Sequence, residues 1–237
     1  MKASIITSVY KGEKYINHFL NDITKQTIFN ECELVIINAA SPENEEEYIN
    51  PFLQKYKNIK YFRLNVDPGI YAAWNLAIEN STSKYITNAN IDDNKAHWCI
   101  EEQSFILDQN PTIDLVYGET LETFKELETF NKNSASQSFP CLDFSLENLL
   151  QVNSPHSSPM WRRTVHNKYG YFDPEYKYCG DYELWVRAAK QGSIFKKINS
   201  ILSLYYRNPD GLSTKTENLS LALKEIEKIK QSDYHPT

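Results

Sequence analysis

No stretch of this chain approaches the roughly 18 consecutive apolar residues that a membrane-spanning helix requires, so no transmembrane segment is expected. Nor is there a long run of Lys or Arg. With a net charge of −6, a general nucleic-acid binder, whose affinity rests on a basic face, is excluded. The local clusters Lys196-Lys197 and Lys224, Lys228 and Lys230 read as solvated surface, and peripheral contact with anionic lipid is the most they would support. Cysteine is sparse: Cys32, Cys99, Cys141 and Cys179 form no Cys-x-x-Cys pair and have no interleaved His. That argues against a structural zinc site and a small disulfide scaffold, and points to a reducing compartment. The opening apolar stretch is broken by Lys11-Gly12-Glu13 and is too short for a signal peptide. The expectation is a soluble cytoplasmic protein, at most touching the inner face of the membrane.

What is present is core material. The 237 residues are 41% hydrophobic and 13% aromatic, with 16 Tyr and 11 Phe. A disordered or fibrous chain is therefore excluded. The first half alternates strand and helix signals. Residues 3–9 form a β-rich run, and 14–26 carry Ile16, Phe19, Leu20 and Ile23 at helical spacing. Residues 33–39 contain Leu34-Val35-Ile36-Ile37, the kind of run buried on both faces of a parallel sheet. A helix opens after Pro42 with acidic residues in its first turn. Strands at 59–64, 84–88 and 113–118 then alternate with helices at 71–80 and 96–109.

This order predicts an α/β fold with a central, mostly parallel sheet flanked by helices. Ligands of such sheets lie beyond the carboxyl ends of the strands. Four polar segments, 7–10, 38–41, 67–69 and 88–93, occupy such ends. The second half loses the alternation. Residues 134–138 read as a mobile loop, 146–152 as a short helix and 157–162 as a strand. Residues 181–191 read as a helix ended by Gly192, 194–206 as extended, and 219–229 as a closing amphipathic helix. There are no internal repeats.

Two places carry the chemistry. Asp92 and Asp93 follow a strand within Asn90-Ile91-Asp92-Asp93-Asn94. Adjacent carboxylates repel unless a cation or hydrogen-bond donors compensate, and hard ions such as Mg²⁺ or Mn²⁺ take carboxylate oxygens alongside water and phosphate. The plainer alternative is a solvated turn. Asp181, in Gly180-Asp181-Tyr182-Glu183-Leu184-Trp185, stands at a helix start, where it reads either as an N-cap or as a general base at the mouth of a pocket. Lesser candidates are His156, as a phosphate or metal contact or a structural loop residue, and Arg162 and Arg163, as bidentate diphosphate ligands or surface ion pairs. Trp161 and Trp185 read as acceptor-stacking or core aromatics. Tyr10, beside Thr7 at a strand end, reads as a nucleobase contact.

Five segments in order resemble the family 2 glycosyltransferases, which have the GT-A fold. They are Ile5-Ile6-Thr7-Ser8-Val9-Tyr10, Glu33-Leu34-Val35-Ile36-Ile37-Asn38-Ala39, Asp67-Pro68-Gly69-Ile70-Tyr71-Ala72-Ala73-Trp74-Asn75, Tyr85-Ile86-Thr87-Asn88-Ala89-Asn90-Ile91-Asp92-Asp93, and Gly170-Tyr171-Phe172-Asp173 with Gly180-Asp181-Tyr182-Glu183. The resemblance spans residues 3–206. It implies a GT-A-like (Rossmann-like) single domain: residues 1–118 as the nucleotide-sugar-binding half, 119–213 as the acceptor-binding and catalytic-base half, and 214–237 as a C-terminal helix and tail. It implies a nucleotide-diphosphate sugar donor held by Thr7, Tyr10, Asn38, Asp67, Asn90 and Asp92. Mn²⁺ or Mg²⁺ would bridge Asp93, with help from Asp92, to the two phosphates. Asp181 would act as base on a glycan, lipid-linked or other hydroxyl acceptor, with inversion at the anomeric carbon. The reaction would serve glycan or cell-surface polysaccharide biosynthesis, as a hexosyl- or N-acetylhexosaminyltransferase.

The chain also departs from the family pattern. Asn38 and Ala39 stand where the family often has an Asp pair, Asn90 replaces the first acidic position of the Asp-x-Asp motif, and Ala72 stands where many relatives carry Asp. These departures motivate a second reading, a degenerate GT-A domain that binds nucleotide or glycan without turnover. A nucleotidyltransferase would need a Gly-rich phosphate loop after the first strand, which Lys11-Gly12-Glu13 does not supply.

Overall fold

A computed structural model of the chain describes residues 1–212 and 214–234. Residue 213, where the expected second part of the domain ends, and residues 235–237, the end of the expected tail, lie outside the described residues. The apolar runs of the first half become β1 (Ala3–Val9), β2 (Cys32–Asn38), β3 (Ile59–Arg63) and β4 (Tyr85–Asn88), all mutually parallel in the order β3-β2-β1-β4. The crossovers are α1 (Glu13–Ile23), α2 (Glu46–Lys55) and α3 (Ile70–Glu79).

Beyond β4 the sheet becomes mixed. The two-residue β5 (Asn94–Lys95) and α4 (Cys99–Gln109) precede the long β6 (Leu115–Thr123), and β8 (Met160–Arg162) inserts antiparallel between β4 and β6. Strand β9 (Phe195–Tyr206) runs parallel to β6 and pairs antiparallel with β5 at the edge. The expected mobile loop at 134–138 is partly strand instead. Its residues form β7 (Gln137–Ser138), held on Glu122 and Leu121 of β6.

Among the described residues the helices α5 (Leu146–Gln151), α6 (Thr164–Tyr169), α7 (Gly180–Lys190) and α8 (Thr216–Gln231) follow. Among the described residues no helix is long and apolar enough to cross a membrane.

Alternation within the strands sends side chains to two cores. Ile5, Leu34 and Ile36 meet Ile16, Phe19, Leu20 and Ile49 on the α1–α2 face. Ile6, Val35 and Ile37 meet Trp74, Phe172 and Trp185 on the face covered by α3 and α7. Each fully buried large side chain of this kind contributes about 1.5–3 kcal/mol relative to exposure. The consequence for function is geometric. Both faces are sealed by helices, so the strand ends are where backbone and polar groups meet solvent.

Candidate active site

At the carboxyl ends of β1, β2 and β4 the sheet opens into a cleft of about 1470 Å³, larger than the ~300–1,000 Å³ of a typical small-molecule pocket. One wall is built from strand ends. Tyr10, Ala39, Asp67, Asn88 and Asn90 line it, whereas Thr7 and Asn38 are fully buried beneath it. The Asn38 side-chain oxygen accepts from the Ser41 N–H (2.8 Å), so its part is to hold the β2 turn. Loops from β1 and β2 are tied together there. The Lys11 N–H donates to the Ser41 hydroxyl and the Gly12 N–H to the buried Glu45 carboxylate (2.9 and 2.8 Å). Lys11 and Ala40 both adopt positive φ (52° and 55°) beside this wall, a conformation disfavoured for non-glycine residues and often kept where a site requires it. Asp67 accepts from the Gly69 N–H (2.8 Å), and Gly69 turns into α3 at φ 84°.

The two adjacent carboxylates have separate surroundings. Asp92 lines the cleft and accepts from the Asn208 side-chain amide (3.1 Å). Asp93, expected to bridge the metal, turns into the protein. Its oxygens accept from the Tyr206 N–H (3.0 Å) and the Asn90 side-chain amide (3.1 Å), and it does not line the cleft. The physical reason is β9, whose end passes behind the turn and takes Asp93 as its partner. Burial raises the carboxyl pKa of Asp92, and burial together with the Asp92 charge raises that of Asp93 well above the ordinary carboxylate range. Among the described residues no three His, Cys, Asp or Glu side chains converge as metal ligands. A hard divalent ion held by one carboxylate, water and a bound diphosphate is nevertheless common chemistry. Asp92, a half-buried carboxylate facing the cleft, fits such an ion.

Asp181 lies in the first turn of α7 and lines the same cleft. It does not cap the helix: Cys179 holds the N-cap position without a side-chain bond. Its carboxylate instead accepts from the Tyr71 hydroxyl (3.3 Å) and the Asn153 side-chain amide (3.0 Å). Of the aromatics that follow it on α7, Tyr182 also lines the cleft and Trp185 does not. The Tyr182 hydroxyl donates to the Leu149 carbonyl, and Trp185, 1% exposed, packs on Trp161 with ring centroids 5.1 Å apart.

His156 lines the cleft, stacked on Phe139 at 4.4 Å and edge-on to Tyr205 at 5.0 Å. Burial pulls its pKa below the ordinary imidazole value, opposed by the nearby Asp181 charge. Arg162 and Arg163, which read in the sequence as diphosphate ligands or surface ion pairs, are instead spent on backbone carbonyls of the scaffold. Arg162 donates to the carbonyls of Ile113, Leu107 and Asn110 (2.7, 2.6 and 3.0 Å). Arg163 donates to Ser83 and Ile78 carbonyls and the Ser81 hydroxyl (2.7, 3.0 and 2.6 Å). Both sit where strands and helices leave carbonyl oxygens unpaired, and neither lines the cleft. Tyr10, Asp67, Asn90, Asp92, His156 and Asp181 therefore share one cleft, while Thr7, Asn38, Asp93, Arg162, Arg163 and Trp185 serve the structure around it. Tyr71, Asn153 and Asn208 had no signal of their own in the sequence.

A parallel half-sheet is thus joined to a mixed half, with an acidic turn after β4 and a carboxylate on a later helix. The chain matches the model of glycosyl transferase family 2 over residues 4–169 and belongs to that family. It is 27% identical over 195 residues to an uncharacterized glycosyltransferase of Rickettsia typhi, covering 81% of this chain and 60% of that one. Of the curated relatives it matches first, it spans between 42% and 61% of the length.

Two solved structures share the GT-A architecture. S. aureus TarS 1–349 in complex with UDP-GlcNAc superposes with a TM-score of 0.76 at 18% identity, over 99% of this chain and 68% of that one. The mannosyltransferase PcManGT from Pyrobaculum calidifontis, in complex with GDP-Man and Mn²⁺, gives 0.74 at 14% identity, over 99% and 66%. This likeness establishes the fold.

Proposed function

We propose that the domain transfers a sugar, with inversion, from a nucleotide-diphosphate sugar to a hydroxyl of a glycan or lipid-linked acceptor in cell-surface polysaccharide assembly. The carrying observation is that Asp92 and Asp181, from opposite halves of the chain, line one cleft large enough for donor and acceptor together. The donor's nucleotide lies on the wall of Tyr10, Ala39 and Asp67, and its diphosphate points toward Asp92. A divalent ion held by Asp92 would neutralise the charge that develops on the departing diphosphate. Asp181 accepts the proton of the acceptor hydroxyl. That oxygen then forms its bond to the anomeric carbon as the carbon–oxygen bond to the diphosphate breaks. One displacement inverts the configuration. A positioned base of this kind contributes about 10²–10⁴-fold.

The test is turnover of UDP- and GDP-sugars with Mn²⁺ or Mg²⁺, with the anomeric configuration of the product read by NMR. Asp181→Asn should lose about two to four orders of magnitude in kcat while retaining donor affinity. Asp92→Asn should weaken metal-dependent donor binding. Retention of configuration, or wild-type turnover by Asp181→Asn, overturns the reading. The inward turn of Asp93 favours one alternative, a domain that binds donor without turnover. Donor binding by calorimetry with no product for any sugar would select it.

A further inference from the structure

We infer that Tyr71 and Asn153 are positioning residues that orient the Asp181 carboxylate, and that Gly180 exists to let Tyr71 reach it. This rests on the reading of Asp181 as the base. Tyr71 comes from the start of α3, directly after the Asp67–Gly69 turn of the donor wall, and its hydroxyl donates to one Asp181 oxygen. Its ring has little freedom. It meets Trp74 edge-on at 5.5 Å and Phe172 at 5.9 Å. On the third side it lies against the backbone of Gly180, where an added Cβ would stand 2.7 Å from ring carbon Cδ2. No side chain larger than hydrogen fits at 180 while the ring stays in place. A ring confined in this way delivers its hydroxyl to one point, and that point is the carboxylate next in sequence to the glycine. Burial, and then the Asp181 charge, hold the phenol well above its ordinary pKa, so it remains a donor.

Asn153 completes the arrangement from the opposite side. A carboxylate only accepts, so the amide nitrogen must face Asp181 and the amide oxygen must face away. That oxygen is buried and finds no partner among the described residues. An unpaired buried carbonyl is destabilising, a cost with no return to the fold. The return is at Asp181. One neutral donor on each oxygen fixes the plane of the carboxylate and leaves further lone pairs on both oxygens for an acceptor hydroxyl. Both donors are uncharged, so they orient the base without setting a fixed positive charge against it.

The experiment compares Tyr71→Phe and Asn153→Asp with wild type and Asp181→Asn. It follows hydrolysis of UDP-GlcNAc or GDP-Man, whichever turns over, with Mn²⁺ and with water as acceptor. Tyr71→Phe keeps the ring and its packing, so the thermal midpoint should stay unchanged. Its kcat should fall about 10- to 100-fold, as expected for a misplaced reacting group, with donor KM within twofold. The acid limb of its kcat–pH profile should move up, because the carboxylate has lost a donor. Asn153→Asp sets a second carboxylate against the first and should move that limb up by about one unit or more. Among the described residues, Cys179 and His156 also feel the Asp181 charge, and both are unaltered in these variants. An acid limb that stays in place in both variants overturns the inference, whatever their rates. Wild-type turnover by Asp181→Asn instead overturns the base assignment itself.

Discussion

Asp92 and Asp93 differ by one position in sequence and by everything in surroundings. The first faces the cleft, and the second is consumed by a backbone N–H of Tyr206, 113 residues away. The motif was legible as an acidic turn at a strand end, because that depends on local spacing. Which carboxylate faces outward was not, because a strand from the far end of the chain decides it. The two arginines teach the same lesson. Guanidinium forks suit diphosphate and carbonyl clusters equally well, and only the fold shows that carbonyls surround Arg162. Arg162→Ala should therefore leave donor affinity by calorimetry at the wild-type value. In urea unfolding it should cost about 1–3 kcal/mol, the penalty for buried carbonyls left without donors.

Among the elements, the parallel strands and their crossover helices lay close to the bounds that apolar runs predict, since long periodic segments leave little choice. The two-residue β5 and β7 and the six-residue α6 are too short to show a period, and β7 exists only because β6 offers it an edge. Helix α8 was legible as amphipathic but not as a support for the site. Its Glu225 carboxylate accepts from the N–H groups of Lys177, Tyr178 and Cys179 (2.8, 3.0 and 2.9 Å), the segment that delivers Asp181. Charge-assisted bonds to backbone donors are about twice as strong as neutral ones. Glu225→Gln should speed hydrogen exchange at residues 177–182 several-fold and lower kcat, leaving exchange in β1 and β2 unchanged. Unaltered exchange at 177–182 would remove α8 from this role.

At the scale of the whole molecule, β2 carries stability at one end and the cleft at the other. Near its start, Glu33 is buried. Burial alone would raise its pKa, but the Lys60 ammonium, the Thr82 N–H and the Ser4 and Ser83 hydroxyls more than offset this and hold it at about 2, below its ordinary 4.5. Between pH 4.5 and 2 the unfolded chain binds a proton at this residue that the folded chain refuses. Its contribution is thus complete above that window and is lost as pH falls through it. Urea unfolding of Glu33→Gln should show lower stability than wild type at pH 7 and a shallower decline below pH 4.5. Parallel curves for the two proteins would show that Glu33 is not a source of the acid sensitivity.

The bond from Asp93 to Tyr206 has a consequence for how the molecule comes into being. The acidic turn leaves the ribosome more than a hundred residues before the strand that captures one of its two carboxylates. The family match ends at residue 169, short of Asp181, Tyr206 and Asn208. A gene fragment cut at that boundary would encode the acidic pair without the proposed base and without the strand that tells the two acids apart. The heritable unit that can hold this site complete is therefore longer than the segment by which its family is recognised.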